Sequence, residues 1–455
     1  MMTRPKNIHI QKLSYGRPVA FAGVAAFVAA LTIKGIKSRR ALKKKSIEDN
    51  RNGFLLGMTK TSHTPLFLSD EEIAEHMLIV GGGGYGQKEL QLSFLYRTML
   101  RGGGALYLNM HGDLGIAGKI AAWSDNAGRS KDLINLAFPS PGAPLPGYKP
   151  VCFNPFDVMD AETAAKSIVL GADVKSNAPS KPYLEMSFEM HRSILSCLFW
   201  LRDYKGLYVD AQVIQDHLNY EDLLAVAERK DLPEEHLKEV RNYLERMGTL
   251  GEDLAKKQHT LLQMMSTERL KLMTEQYPEI FISGRNDVNF FSVIEKQRIV
   301  SVTFPSLARS PDHIIFLSSL VLGAFECCAR KISRTSEKSG AGSHPPFLVL
   351  STEGGLSRLG NLCREGRANG LAMVLATADP SSLRRISDKE AEAIMSNTST
   401  KIFMHVDEKQ GATDATISKN VEVPDLTKLG MQEGIACCAG KHQTSIIVSS
   451  PPSAI

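Results

Sequence analysis

Two stretches of this chain hold residues that could work on a phosphate. The first runs from His76 to Asp113, HMLIVGGGGYGQKELQLSFLYRTMLRGGGALYLNMHGD. A short apolar run, Met77 to Val80, breaks into Gly81-Gly82-Gly83-Gly84-Tyr85-Gly86, and a helical pattern follows. A glycine turn between a strand and a helix gathers backbone N–H groups and the positive end of the helix around an anion. The phosphate-binding form of such a turn reads G-x-x-x-x-G-K-[ST]. Gly81 and Gly86 have that spacing, with Gly84 between them. The Lys position, however, is Gln87 and the Ser/Thr position is Lys88, followed by Glu89. Gln87 is neutral and shorter than Lys, so it cannot neutralise β- and γ-phosphates. Lys88 brings its charge one position late, rotated ~100° around the helix, and it has no hydroxyl for Mg²⁺. The loop reads either as a nucleotide loop stripped of its chemistry or as a glycine turn with no ligand.

The second stretch is Phe347-Leu348-Val349-Leu350, which ends in Ser351-Thr352-Glu353-Gly354-Gly355. A phosphoryl-transfer enzyme of this class needs a strand ending in an Asp that holds Mg²⁺, often with a Glu that polarises the attacking water. Here the metal position is Ser351 and the next is Thr352. Glu353 comes one residue late and should face the other side of an extended strand. One altered motif could be chance; two, at the two places chemistry requires, suggest a nucleotide fold without hydrolysis. No metal ligand set is expected.

These positions need a sheet to hold them. Met77 to Val80, the glycine loop, the helix carrying Leu90, Phe94, Leu95 and Met99, and the strand Ala105 to Leu108 form a βαβ unit. Further strands are expected at Leu133 to Phe138, Ile299 to Phe304, Leu371 to Ala376, Lys401 to His405, Ile435 to Ala439 and Thr444 to Val448. A long apolar helix is expected from Asp312 to Ala329, then a polar loop from Lys331 to His344. Over 160–280 glycine almost vanishes and helical periodicity takes over. Helices are expected at Tyr183 to Leu201, Asp231 to Gly248 and Leu254 to Met273, with Asp231 as a cap and Pro233 in the first turn. Strand–helix alternation on both sides of a helical insertion implies one discontinuous α/β domain, 51–158 plus 286–450, with a mostly parallel sheet around an all-α insertion, 159–285.

The chain of 455 residues carries a formal net charge of +5, but unevenly. Residues 1–51 hold twelve Lys and Arg against Glu48 and Asp49, so the remainder is net −5. That acidic remainder argues against direct DNA binding. Seven cysteines, with two adjacent pairs and no C-x-x-C, read as buried free thiols in a reducing compartment. Pro18 to Ile33 is uncharged for sixteen residues, and Gly35 and Ile36 extend it if Lys34 snorkels. The basic run that follows reads as a stop at a cytoplasmic face, giving a single span at about 18–36. A signal peptide or an interfacial anchor are the rival readings.

The order of these motifs resembles the coupling proteins of type IV secretion and conjugation systems, the TraD/TraG superfamily and in particular its DotL/IcmO/TrbC-like branch. The resemblance covers roughly residues 50–450. It begins at the glycine loop and continues through Asn109-Met110-His111-Gly112-Asp113, Asn154-Pro155-Phe156, the helical stretch Tyr183 to Gly206 and IVSVTFPSLARSPD (Ile299 to Asp312). It ends with Leu356-Ser357-Arg358-Leu359, Glu365-Gly366-Arg367 and Ala368 to Leu383. The strand in this last segment ends in Gln in the family; here that position is Ala378. The resemblance implies a P-loop NTPase-like fold of RecA/FtsK type, an inner-membrane anchor with the large domain in the cytoplasm, and a hexameric ring. It implies partners among secretion components, including an active coupling ATPase. The departures at Gln87, Lys88, Ser351, Thr352 and Ala378 imply a pseudo-ATPase subunit that at most holds ATP without efficient hydrolysis. Two other readings stay open: an active motor, with Lys88 as the working lysine and Glu353 or Asp113 serving the metal, and a DNA-contacting module without catalysis. Arg309 and Arg358 are candidates for a trans-acting arginine, each weighed against a solvated surface residue. His191, His236 and His259 lie on helical patterns without ligand spacing.

Overall fold

A computed structural model describes residues 53–139, 150–170, 181–282, 284–305, 311–336, 345–384, 387–406, 426–438 and 443–452. The expected membrane span, the basic segment and Arg309 lie outside these residues.

Strands β1 (Phe54–Thr59) and β2 (Pro65–Leu68) form an antiparallel pair. Ser69 then caps α1 (Asp70–Ala74). Its hydroxyl accepts the Glu72 N–H at 3.2 Å while the Glu72 carboxylate accepts the Ser69 N–H at 2.8 Å, the reciprocal box that Ser-x-x-Glu encodes. The βαβ unit follows as β3 (Met77–Val80), α2 (Gln87–Leu100) and β4 (Ala105–Asn109). Next come α3 (Leu114–Asn126) and β5 (Leu133–Ala137).

Between β5 and the next strand the long described elements are all helical. They are α4 (Ala161–Leu170), α5 (Lys181–Lys205), α6 (Ala211–Asp216), α7 (Tyr220–Ala227), α8 (Glu234–Gly248), α9 (Glu252–Lys271), α10 (Pro278–Phe281) and α11 (Phe290–Glu295). Helix α8 departs from the expected start. Pro233, not Asp231, is its N-cap, because the Asp231 carboxylate is already bound by Arg229 at 2.7 Å.

The second part of the sheet has β6 (Ile299–Thr303), α12 (Pro311–Ser336), β7 (Phe347–Ser351), α13 (Leu359–Glu365) and β8 (Leu371–Thr377). It closes with α14 (Pro380–Leu383), α15 (Asp388–Asn397), β9 (Thr400–Phe403), β10 (Glu433–Cys437) and β11 (Thr444–Val448). Helix α12 continues past Ala329 into the stretch expected as loop.

Among the described residues, eleven strands join one sheet in the order β2-β1-β11-β10-β9-β3-β8-β7-β4-β6-β5. From β9 to β5 every pairing is parallel; from β9 out to β2 every pairing is antiparallel. The parallel strands are covered on both faces, which is why they read as unbroken apolar runs. Alternate residues serve opposite faces. Leu78 and Val80 pack in the core shared with α4, α5 and α12, while Met77 and Ile79 pack in the core beneath α2 and α3. Within α12, Asp312–Ile332 is long and apolar enough to cross a membrane by composition, but it is mostly buried against the sheet and serves as a core helix.

Candidate functional site

Parallel pairing fixes where the chemistry-bearing positions meet. Val80 is level with Thr377 and Phe403, and Ser351 is level with Leu375 and Leu108. The glycine loop, Ala378, Ser351-Thr352-Glu353 and the turn after Asn109 therefore leave the sheet along one edge, at the carboxyl ends of adjacent strands. Open α/β sheets place ligands at that edge. The glycine-loop and second-motif residues nominated from the sequence are brought to it.

The loop is pinned from its start. The Gly81 N–H donates to the Thr377 carbonyl at 3.0 Å and the Gly82 N–H to the His405 carbonyl at 2.6 Å. Gly86 caps α2 with φ of +113°, and a Cβ there would lie 3.1 Å from both Met404 Cε and Val448 Cγ2. Tyr85 stacks on the His405 ring, centroids 4.1 Å apart and planes 16° from parallel, and its carbonyl accepts the Gln432 N–H at 2.9 Å. Gly84 stands exposed with φ of +86°.

Gln87 turns back into the loop. Its Nε2 donates to the Gly81 carbonyl and, at 3.0 Å, to the Thr377 carbonyl. Lys88 points elsewhere: its Nζ lies 3.0 Å from Asp113 Oδ2. Burial works against the Asp113 charge, but the Lys88 ammonium and the Gly115 N–H outweigh it, and the carboxyl sits below the ordinary aspartate range. Side chains of this pair are 43% and 42% exposed, so it contributes at most about 1 kcal/mol. Glu89 lies in the first turn of α2, where a negative charge complements the helix end.

The second motif is likewise turned inward. The Ser351 hydroxyl donates to the Glu353 carbonyl at 2.6 Å. The Thr352 hydroxyl accepts the Met110 N–H at 3.0 Å and donates to the Leu108 carbonyl at 3.3 Å. The Glu353 carboxylate accepts the Gly355 N–H at 3.2 Å. Ala378 is exposed beside Asp379, which caps α14.

Sequence reasoning missed Gln91, which is fully buried one helical turn beyond Gln87. Its Nε2 donates to the carbonyls of Ser351 at 2.7 Å and Val374 at 2.9 Å. Those partners lie 260 and 283 residues away, and the only sequence signal was a polar residue inside an apolar helix face. Arg358 requires a correction, since it is not a solvated surface residue. Its side chain is 11% exposed, pairs with Glu326 at 2.9 Å, and donates to the Thr163 carbonyl and Ser167 Oγ at 3.0 Å each. The segment folds Arg358 inward because the residue caps α13 in the left-handed region, φ +75°, which aims its guanidinium at α12 and α4.

The histidines of the helical stretch are structural. His191 lies between the Ser187 carbonyl and Ser266 Oγ, both at 2.7 Å. His259 lies between Tyr243 OH and the Leu218 carbonyl, both at 2.8 Å. His236 is half-buried against Ser196 at 2.6 Å.

A magnesium-bound triphosphate needs a cation at the loop and a carboxylate at the second strand. The donor set does not fit it. The Gln87 amide is spent on backbone carbonyls, the Lys88 charge is held by Asp113, the Ser351 hydroxyl is bonded to the Glu353 carbonyl, and the Thr352 hydroxyl is bonded to the backbone of Met110 and Leu108. Among the described residues no cluster of His, Cys, Asp or Glu is arranged to hold a metal ion.

No family model matches the chain. Over 390 residues it is 20% identical to the type 4 coupling protein DotL of Legionella pneumophila, a match covering 77% of this chain and 50% of that protein. The chain therefore spans about half the length of that relative. Among solved structures, the bacterial conjugative coupling protein TrwBΔN70 in its unbound form superposes with a TM-score of 0.58 at 14% identity, covering 88% of this chain and 91% of that one. TrwB in complex with ADP and Mg²⁺ gives 0.58 at 15%, covering 87% and 90%. VirB4 of Thermoanaerobacter pseudethanolicus gives 0.53 at 11%, covering 89% and 98%. The fold is P-loop NTPase-like, and the resemblance expected from the order of the motifs holds: in sequence and in fold, this chain is similar to the coupling proteins of type IV secretion and conjugation.

Proposed function

We propose that this chain is a membrane-anchored, coupling-protein-like subunit of a type IV secretion or conjugative transfer system, and that it scaffolds rather than hydrolyses ATP. The observation that carries the second part is the Gln87 amide, bonded to the Gly81 and Thr377 carbonyls where a working loop would present a charged lysine. The coupling-protein resemblance supports the first part, together with a bacterial inner-membrane location through 18–36 and a cytoplasmic large domain. By the same resemblance it assembles into a ring and works beside an active coupling ATPase. The rival reading, a motor driven through Lys88, requires the Lys88–Asp113 pair to open and the ammonium to swing round the helix.

Calorimetry of Mg-ATP with the full chain, alongside a turnover assay, tests the proposal. The expected result is no turnover, and no change in that result for Lys88→Ala. Turnover that Lys88→Ala abolishes would overturn it.

A further inference from the structure

Gln87 and Gln91 stand four residues apart on α2, so their amides leave the same face of the helix one turn apart. Between them they reach four backbone carbonyls: Gly81 and Thr377 from Gln87, Ser351 and Val374 from Gln91. Those acceptors belong to β7, β8 and the residue that follows β3, three neighbouring parallel strands. Gln91 is 0% exposed and its Oε1 has no hydrogen-bond partner. A buried, unpaired oxygen is a cost that a methionine of similar volume would avoid. What Gln91 donates accounts for its being there.

We propose that Gln87 and Gln91 act as an amide clamp that fixes the first two turns of α2 to β3, β7 and β8. The clamp holds the glycine loop in one conformation, independent of any nucleotide. The inference rests on the non-hydrolytic reading of the loop. A charged lysine at position 87 would be drawn from neutral carbonyls to an arriving phosphate, because charge-assisted hydrogen bonds are the stronger ones. A neutral amide feels no such pull, so its contacts persist. The loop then serves as a fixed joint between helix and sheet instead of a part that responds to a ligand.

Amide hydrogen exchange on the full chain tests this, read at Gly81, Gly82 and Leu90, whose N–H groups donate to Thr377, His405 and Gly86. The probes are the wild type with and without Mg-ATP, and the variants Gln87→Met and Gln91→Met without nucleotide. In the wild type, exchange at the three amides is expected to be the same with and without Mg-ATP. Each variant should speed it about tenfold, the scale of one or two lost hydrogen bonds, while exchange in β4 and β6 stays unchanged. Gln87→Met removes a half-buried side chain and serves alone if Gln91→Met fails to fold. Unchanged exchange at Gly81 and Gly82 in the variants would overturn the clamp and leave the non-hydrolytic reading standing. Protection of the wild-type loop by Mg-ATP would overturn the loop's independence of nucleotide, and with accompanying turnover the non-hydrolytic reading as well.

Discussion

Arg358 Nη1 lies 2.9 Å from Glu326 Oε2, with both side chains almost wholly out of water. The pair joins the start of α13 to the middle of α12, and Arg358 Nη2 ties both to α4 through Thr163 and Ser167. Three segments distant in sequence therefore meet at this cation, with Arg330 Nη2 also 3.9 Å from Glu326 Oε1. Breaking a buried pair by removing one partner costs about 3–5 kcal/mol where the other charge is left uncompensated; here Arg330 stays beside Glu326, which puts the loss at the lower end of that range. Arg358→Ala should lower the unfolding free energy, measured by denaturant titration, by about 3 kcal/mol. The double variant Arg358→Met with Glu326→Leu should recover much of the loss. Equal losses in both would show that packing, not the charge, is what Arg358 supplies.

Acid should weaken the fold through histidines buried in the neutral form. Burial, with Arg269 and His259 nearby, holds His191 down at about 4, and burial likewise holds His76 at about 4. The unfolded chain takes up these protons near the ordinary value of about 6.5. Between those two values the unfolded state binds more protons, so stability is fully present above about 6.5 and is lost progressively as pH falls toward 4. Each site contributes roughly 3 kcal/mol across the window. Melting temperatures measured from pH 7.5 to 4 should fall in this interval, and His191→Gln should flatten the slope. A slope unchanged by that variant would contradict the assignment.

Gly86 should tolerate no side chain. Its φ of +113° lies in the region L-residues avoid, and a Cβ would press on Met404 and Val448. Left-handed backbone alone costs about 1–2 kcal/mol for a non-glycine residue. Gly86→Ala should therefore lower the melting temperature, while Gly83→Ala, with nothing near its Cβ, should change it little.

Restoring the missing groups should restore binding. The triple variant Gln87→Lys, Lys88→Thr, Ser351→Asp returns the charge, the hydroxyl and the carboxylate to their places. Mg-ATP affinity by calorimetry should appear in the triple variant and exceed the sum of the single changes, because groups acting on one ligand couple. If the triple variant binds no better than the wild type, the loss lies in the shape of the loop and not in its chemistry.

The thiols should be inert in the native state. None of the seven cysteines is in a disulfide, and six of them are buried. Burial pushes Cys197 up to about 12 and the half-buried Cys437 up to about 11. Since the thiolate is the reacting form, a disulfide reagent at pH 8 should titrate the full set only after denaturation.

What the sequence revealed and what it withheld divide along a physical line. Met77–Val80 and Phe347–Leu350 were legible because strands covered on both faces are continuously apolar. The glycine loop and the altered second strand were legible because their motifs are contiguous in sequence. Gln91 and Arg358 were not: each is defined by acceptors tens to hundreds of residues away, and nothing local distinguishes a clamping glutamine from a solvated one. The start of α8 was misplaced because Asp231 spends its carboxylate on Arg229, a competition that cap preference alone does not register.

The outer strands of the sheet also set how it would bear a load. β1, just after Gly53, lies antiparallel to β11, with Gly57 opposite Val448 and Ser449 bonded back to Leu56 at 2.8 Å. The segment entering β1 and the segment leaving β11 therefore emerge at the same end of one ladder. Tension drawn between Gly53 and the residues after Ser449 would open that ladder bond by bond, like a zipper, instead of shearing all its bonds together. The parallel strands that carry the glycine loop lie beyond β10 and would not feel the pull until the outer seam had parted.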